Sequence, residues 1–107
     1  MGLARQLRQV VGATPEALRD LSVSLNKVGD VRRERGELAQ AAEAYEESLG
    51  HMRQVHKVIG STPQVNQELG YLLDKVATIR QALGDEQSAQ AARAEADVLK
   101  TPTNQDD

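Results

Sequence analysis

The chain has no cysteine, no tryptophan and no phenylalanine, and only two tyrosines and three prolines among 107 residues. Without cysteine it can build neither a disulfide nor a thiolate metal site, a trait that suits a reducing compartment. Lacking Trp and Phe, it has few of the flat rings on which single-stranded nucleic acids stack. A net charge of −3 and a pI near 5.4 supply no strongly basic face for a phosphate backbone. Long apolar runs are missing too. Met1 to Val11 is interrupted by Arg5 and Arg8, so it reads as neither a secretion signal nor a membrane span. Gln6 breaks the N-myristoylation pattern that Met1-Gly2 would open. These absences lead to the expectation of a cytoplasmic protein that binds neither nucleic acid nor membrane.

What the chain does have is Ala, Leu, Glu, Gln and Arg, which favour helix, and a repeat. Arg5-Gln6 recurs as Arg53-Gln54, and Gly12-Ala13-Thr14-Pro15 returns as Gly60-Ser61-Thr62-Pro63, an offset of 48. The register holds onward. Leu21, Leu25, Lys27, Val28, Arg32, Gly36, Ala41, Ala44 and Glu47 return as Leu69, Leu73, Lys75, Val76, Arg80, Gly84, Ala89, Ala92 and Glu95. Self-similarity of this size marks stacked supersecondary units, none of which can bury its apolar face alone. The expected fold is all-α.

Thr14 and Thr62 are placed to cap helices whose first residue is a proline, since the hydroxyl accepts from an orphan amide and proline has none to satisfy. In the first unit Leu18, Leu21, Leu25, Val28 and Arg32 fall three or four apart, predicting a packing stripe on a helix over about 15–35 that stops near Gly36. Leu38, Ala41, Tyr45, Ser48, Met52, Val55 and Ile59 continue the spacing and predict a helix over about 37–59, closed by a left-handed Gly60. The second unit gives helices over about 63–83, with Val65, Leu69, Leu73, Val76 and Leu83, and about 85–100, with Ala89, Ala92, Ala96 and Leu99. The units are thus 13–60 and 61–100. Residues 1–12, with Leu3, Leu7, Val10 and Val11, match the end of the second helix one repeat earlier, and 101–107 reads as a disordered polar tail.

Residues 25–49 run Leu25-x2-Val28-Gly29-x2-Arg32-x3-Gly36-x-Leu38-x2-Ala41-x3-Tyr45-x2-Ser48-Leu49. This resembles the tetratricopeptide repeat, a helix-turn-helix unit in which small residues let paired helices approach and the tyrosine fills the gap between units. The second unit is a weaker match, with Glu86 and Arg93 in the places of Leu38 and Tyr45. Its last helix offers Arg93, Glu95 and Asp97 to water, as a terminal repeat should. Arg32 and Arg80 replace the aromatic usual in the first helix, and the period exceeds the family's usual repeat of about 34. Two extra turns on each helix account for the length, as in similar long-helix bacterial arrays. Arg32 and Arg80 either pair with a carboxylate, Glu47 and Glu95 being in register, or snorkel to solvent.

The resemblance implies a right-handed α-α superhelix of two hairpins plus a leading partial helix, with a concave groove that takes a protein or peptide. Carried over by position, the groove stripe is Ser22, Asn26, Asp30 and Arg33 in the first unit and Gly70, Asp74, Thr78 and Gln81 in the second, bordered by Val23 and Tyr71. Lys27 and Lys75 read as solubilising. Of the alternatives, one is a homodimer through the exposed face of Leu3, Leu7 and Val10. Another is a recruitment or sensor arm of a larger regulatory protein. Catalysis, metal and cofactor are not expected: His51 and His56 lie five apart, on different faces of a helix, and no HExxH, CxxC or phosphate-binding loop is present.

Overall fold

The computed structural model describes residues 14–100. Within them are four helices and no strand: α1 is Pro15–Glu34, α2 Leu38–Ile59, α3 Pro63–Ala82 and α4 Glu86–Lys100. The expected segment 1–12, with Leu3, Leu7 and Val10, and the tail 101–107 lie outside the described residues.

Local chemistry sets the helix ends. Thr14 Oγ1 accepts from the Ala17 amide at 3.2 Å and Thr62 Oγ1 from Val65 at 3.1 Å, each just ahead of a helix-opening proline. Asp85 caps α4 by accepting from the Ser88 amide at 3.2 Å. At the far ends of α1 and α3 the same motif appears twice. Gly36 and Gly84 take φ of +81° and +89°, and the amides that follow, Glu37 and Asp85, return to the carbonyls of Arg32 and Arg80 at 2.9 and 2.8 Å. Gly60 differs from expectation. Its φ of +99° comes with ψ of −175°, so it is an extended glycine-only conformation rather than a left-handed helical cap, and it carries the chain out of α2 toward Thr62.

Helices pack in sequence, α1 on α2, α2 on α3 and α3 on α4. The core is Leu18, Tyr45, Leu49, Met52, Val55, Val65, Leu69, Leu72, Leu73, Val76 and Ile79, with alanines at 41, 42, 77, 89, 92 and 96. The stripes of α2, α3 and α4 are therefore where periodicity put them, apart from Ile59 and Leu83, which are exposed. The stripe of α1 is so only in part, with Leu18 buried and Leu25 and Arg32 half-buried. Its buried residues are Leu18, Ser22 and Gly29, while Leu21 and Val28 face outward.

The reason lies in the α1–α2 contact, which small residues make close. Ser22 and Ser48 are both buried, and their hydroxyls meet at 2.8 Å while each can donate to the other's backbone carbonyl, at 3.0 and 2.7 Å. The equivalent positions of the second unit are Gly70 and Ala96. One contact further along, a Cβ on Gly29 would lie 2.5 Å from the Tyr45 ring. The ring thus occupies the space a side chain at position 29 would need.

Candidate partner groove

Because every second helix repeats a position, α1 and α3 run parallel on one side of the molecule. Charges about one repeat apart meet across them. Arg19 on α1 binds the Glu68 carboxylate on α3 at 3.0 Å, and Lys75 on α3 binds Asp30 on α1 at 2.6 Å. Between these two bars lies a cavity of about 450 Å³ lined by Ser22, Val23, Asn26, Met52, Gln67, Glu68, Tyr71 and Leu72. Its walls are α1 and α3, and Met52 of α2 contributes to its floor. From residue 19 to residue 30 an α-helix rises roughly 16 Å, room for about five residues of extended chain at about 3.3 Å each.

The lining combines apolar and polar character. Val23 and Tyr71 are half exposed and offer apolar surface at the rim. Asn26 Oδ1 is buried and accepts no hydrogen bond from the described residues, an arrangement that costs about 1–3 kcal/mol until a donor reaches it.

One end of the groove is a polar cluster centred on Asp30. Asp30 accepts from the Tyr45 hydroxyl at 2.5 Å as well as from Lys75, and the Lys75 ammonium lies 5.5 Å from the Tyr45 ring centre and 5.0 Å from that of Tyr71. Burial works to raise the Asp30 carboxyl, but donation from Lys75 and Tyr45 outweighs it and holds the group below its ordinary value. Lys75 is pulled down by burial and, more strongly in sum, up by Asp30 and Tyr71. Burial and the neighbouring Asp30 both push the Tyr45 phenol up. Lys75 is therefore a structural residue that fixes Tyr71 at the groove mouth, not a solubilising one.

Of the expected groove residues, Val23, Asn26 and Tyr71 line the cavity, and Ser22 reaches it only by an edge, being buried against Ser48. Gly70 is buried beneath Lys100 of α4. Asp30 closes the groove end, and Asp74 is bound to Lys100. Arg33, Thr78 and Gln81 are exposed but outside the cavity lining. Sequence reasoning missed Gln67, Glu68 and Leu72 and assigned Met52 to packing alone. The signal was available: Arg19 with Glu68 and Asp30 with Lys75 are opposite charges 49 and 45 residues apart, close to one repeat.

Arg32 and Arg80 are paired, though not with Glu47 and Glu95. Arg32 binds Glu37 at 3.0 Å, across the turn, and Arg80 binds Glu46 of α2 and Ser88 of α4. Glu95 does not simply face water: Arg53 grips both its oxygens, at 2.7 and 3.1 Å, and that donation holds its carboxyl below the ordinary value.

Among the described residues no group of three or more His, Cys, Asp or Glu could hold a metal ion, and no helix is long and apolar enough to cross a membrane. Comparison with family models, with curated proteins and with solved structures gives no match.

Proposed function

We propose that the chain is a short tetratricopeptide-like solenoid, with the right-handed superhelical stacking of that family, and that it holds a segment of another protein in the α1–α3 groove. The observation that carries this reading is a largely apolar cleft whose lining includes Asn26, with its Oδ1 left without a hydrogen-bond donor. An extended peptide supplies both things such a cleft lacks, a backbone N–H for the carbonyl oxygen and an apolar side chain for the space between Val23, Met52, Tyr71 and Leu72. The ion-paired ends keep the walls in place before binding, so little ordering entropy is lost by the protein when the ligand arrives. Binding of this kind needs no cofactor and no catalysis. A reducing compartment such as the cytoplasm suits a fold that uses no disulfide.

Selection of a displayed random peptide library on the intact chain tests the proposal. Selected peptides should bind Tyr71→Ala at least about tenfold more weakly, as loss of a rigid aromatic anchor does. The same peptides should bind equally well to Val98→Ala, which alters a side chain 69% exposed on α4. Peptides indifferent to Tyr71→Ala and to Asn26→Leu would remove the groove from consideration.

A further inference from the structure

Along the groove the charges are largely spent on each other, and one cation is not. Arg19 is taken by Glu68, and Asp30 by Lys75 and the Tyr45 hydroxyl. Asn26, Asp30 and Arg33 are spaced by four and three residues, so they share one face of α1. Arg33 is exposed and makes no ion pair among the described residues. Side chains of a helix lean toward its N-terminus, which carries this guanidinium back over Asp30 and toward the groove. Its charge is near enough to act on both the Asp30 carboxyl and the Tyr45 phenol. With Asp30 and Lys75 cancelling, this end of the groove is left positive.

The repeat shows that packing does not require the cation. The equivalent position of the second unit is neutral Gln81, and α3 ends through the same glycine turn as α1. At the opposite end of the same α1 stripe the sign is reversed, for Glu16 is exposed there. The corresponding residue of α3 is again neutral, Gln64.

Granted the groove as the binding site, we infer that the segment it holds carries an aspartate or glutamate side chain that pairs with Arg33, three or four residues from the apolar side chain seated between Val23 and Tyr71. The spacing follows from the helix. From Val23 to Arg33 α1 rises roughly 15 Å and from Asn26 to Arg33 roughly 10 Å, which the lean of Arg33 brings to three or four residues of extended chain at about 3.3 Å each. A guanidinium meets a carboxylate through two parallel N–H···O bonds, whereas Glu16 repels one. The acid therefore has one register, toward the C-terminal ends of α1 and α3.

Displayed random peptides selected on the intact chain test this, each then synthesised as the free acid and as the C-terminal amide and titrated by fluorescence anisotropy. Selected sequences should be enriched in Asp or Glu three or four positions from a large apolar residue. Changing that acid to Asn or Gln should weaken binding to the native chain about tenfold, within the range for a charge-assisted hydrogen-bonded pair. Arg33→Gln, which installs the residue of the second unit, should bind both forms alike. Arg33→Glu should reverse the preference and take lysine in the acid's place. Absence of acidic enrichment overturns the inference, as does undiminished affinity of the acidic peptides for Arg33→Gln. So does loss of binding on amidation, which would give Arg33 to a terminal carboxylate. Where any of these results comes with weakened binding to Tyr71→Ala, the groove stands and only the Arg33 contact falls. Peptides indifferent to Tyr71→Ala as well, or a selection that yields none, overturn both.

Discussion

Replacing Gly29 by alanine sets helix propensity directly against packing. Glycine inside a helix is less stable than alanine by roughly 0.5–1 kcal/mol, so on propensity alone the substitution stabilises. The structure says otherwise. The new Cβ would sit 2.5, 2.6 and 3.0 Å from Cε1, Cδ1 and Cζ of Tyr45, where carbon atoms in contact prefer about 3.5–4.0 Å. The ring would have to retreat by roughly 1 Å, and it is held: Tyr45 is fully buried, its hydroxyl donates to Asp30 at 2.5 Å, and Lys75 covers its face. Overpacking of this kind costs about 1–3 kcal/mol, and a hydrogen bond to a charged acceptor is worth about 1.5–3 kcal/mol if the ring's movement breaks it. Subtracting the propensity gain from the overpacking cost leaves a net loss of about 1 kcal/mol, and about 3 kcal/mol if the hydrogen bond breaks as well. The assay is the urea midpoint by circular dichroism in a double-mutant cycle with Tyr45→Leu. With the ring gone, Gly29→Ala should change sign and stabilise by about 0.5–1 kcal/mol. The second unit already shows the combination, with Ala77 in the place of Gly29 and Arg93 in the place of Tyr45. Neutrality of Gly29→Ala in the native background, or the same loss with and without the ring, would refute the reasoning.

Gly50 is the converse case: it lies inside α2 with open space around its Cβ position, so Gly50→Ala should stabilise by about 0.5–1 kcal/mol in the same urea titration. For the buried serine pair, Ser22→Ala and Ser48→Ala should each cost about 1 kcal/mol, while the double alanine variant should cost less than the sum, because removing both partners leaves no polar group stranded; additive losses would argue against their coupling. Stability should also follow pH on two sides. Asp30 is held below its ordinary value of 3.8, so its contribution is present above that pH and is lost as acid carries the solution through the lower folded value. Lys75 is held above 10.5 and Tyr45 above 10.0, so theirs are present at lower pH and are lost as pH climbs through the raised values. Asp30→Asn should flatten the acid limb of the urea midpoint against pH, and an unchanged limb would show that Asp30 does not set it.

The helices were legible because their ends are chemical. Thr-Pro pairs, Gly36 and Gly84 announce starts and stops that need no tertiary partner, and the alternation of apolar residues on α2 and α3 follows from burial on both sides. The stripe of α1 departs from expectation at Leu21 and Val28 for a physical reason. Periodicity reports which residues are apolar, and α1 carries two such rows: one, through Leu18 and Leu25, runs beside Ser22 and Gly29, and the other holds Leu21, Val28 and Val31. Only close approach to α2 chooses between them, and that approach depends on two serines and a glycine, which hydrophobicity does not count. Part of the groove was legible through Val23, Asn26 and Tyr71. Its floor was not, because Met52 looks the same whether it packs against a neighbour or under a cleft, and Lys75 looks like any exposed lysine until Asp30 is brought beside it.

The groove is open because its two walls do not pack on each other. Each of α1 and α3 buries one face against its own hairpin partner, α2 or α4, and α3 a further face against α2, which leaves their adjacent edges to be joined by long polar side chains. Arg19 with Glu68 and Lys75 with Asp30 span that separation, where leucines in their places would favour closure by burying apolar area at about 25 cal/mol per Å². The two bars differ in consequence. Arg19 and Glu68 form a partly exposed pair of the sort worth at most about 1 kcal/mol and weakened by salt. Asp30 and Lys75 are tied in addition to the buried Tyr45 and to the ring of Tyr71. The Tyr71 end of the cleft is thereby held by more contacts than the Arg19 end.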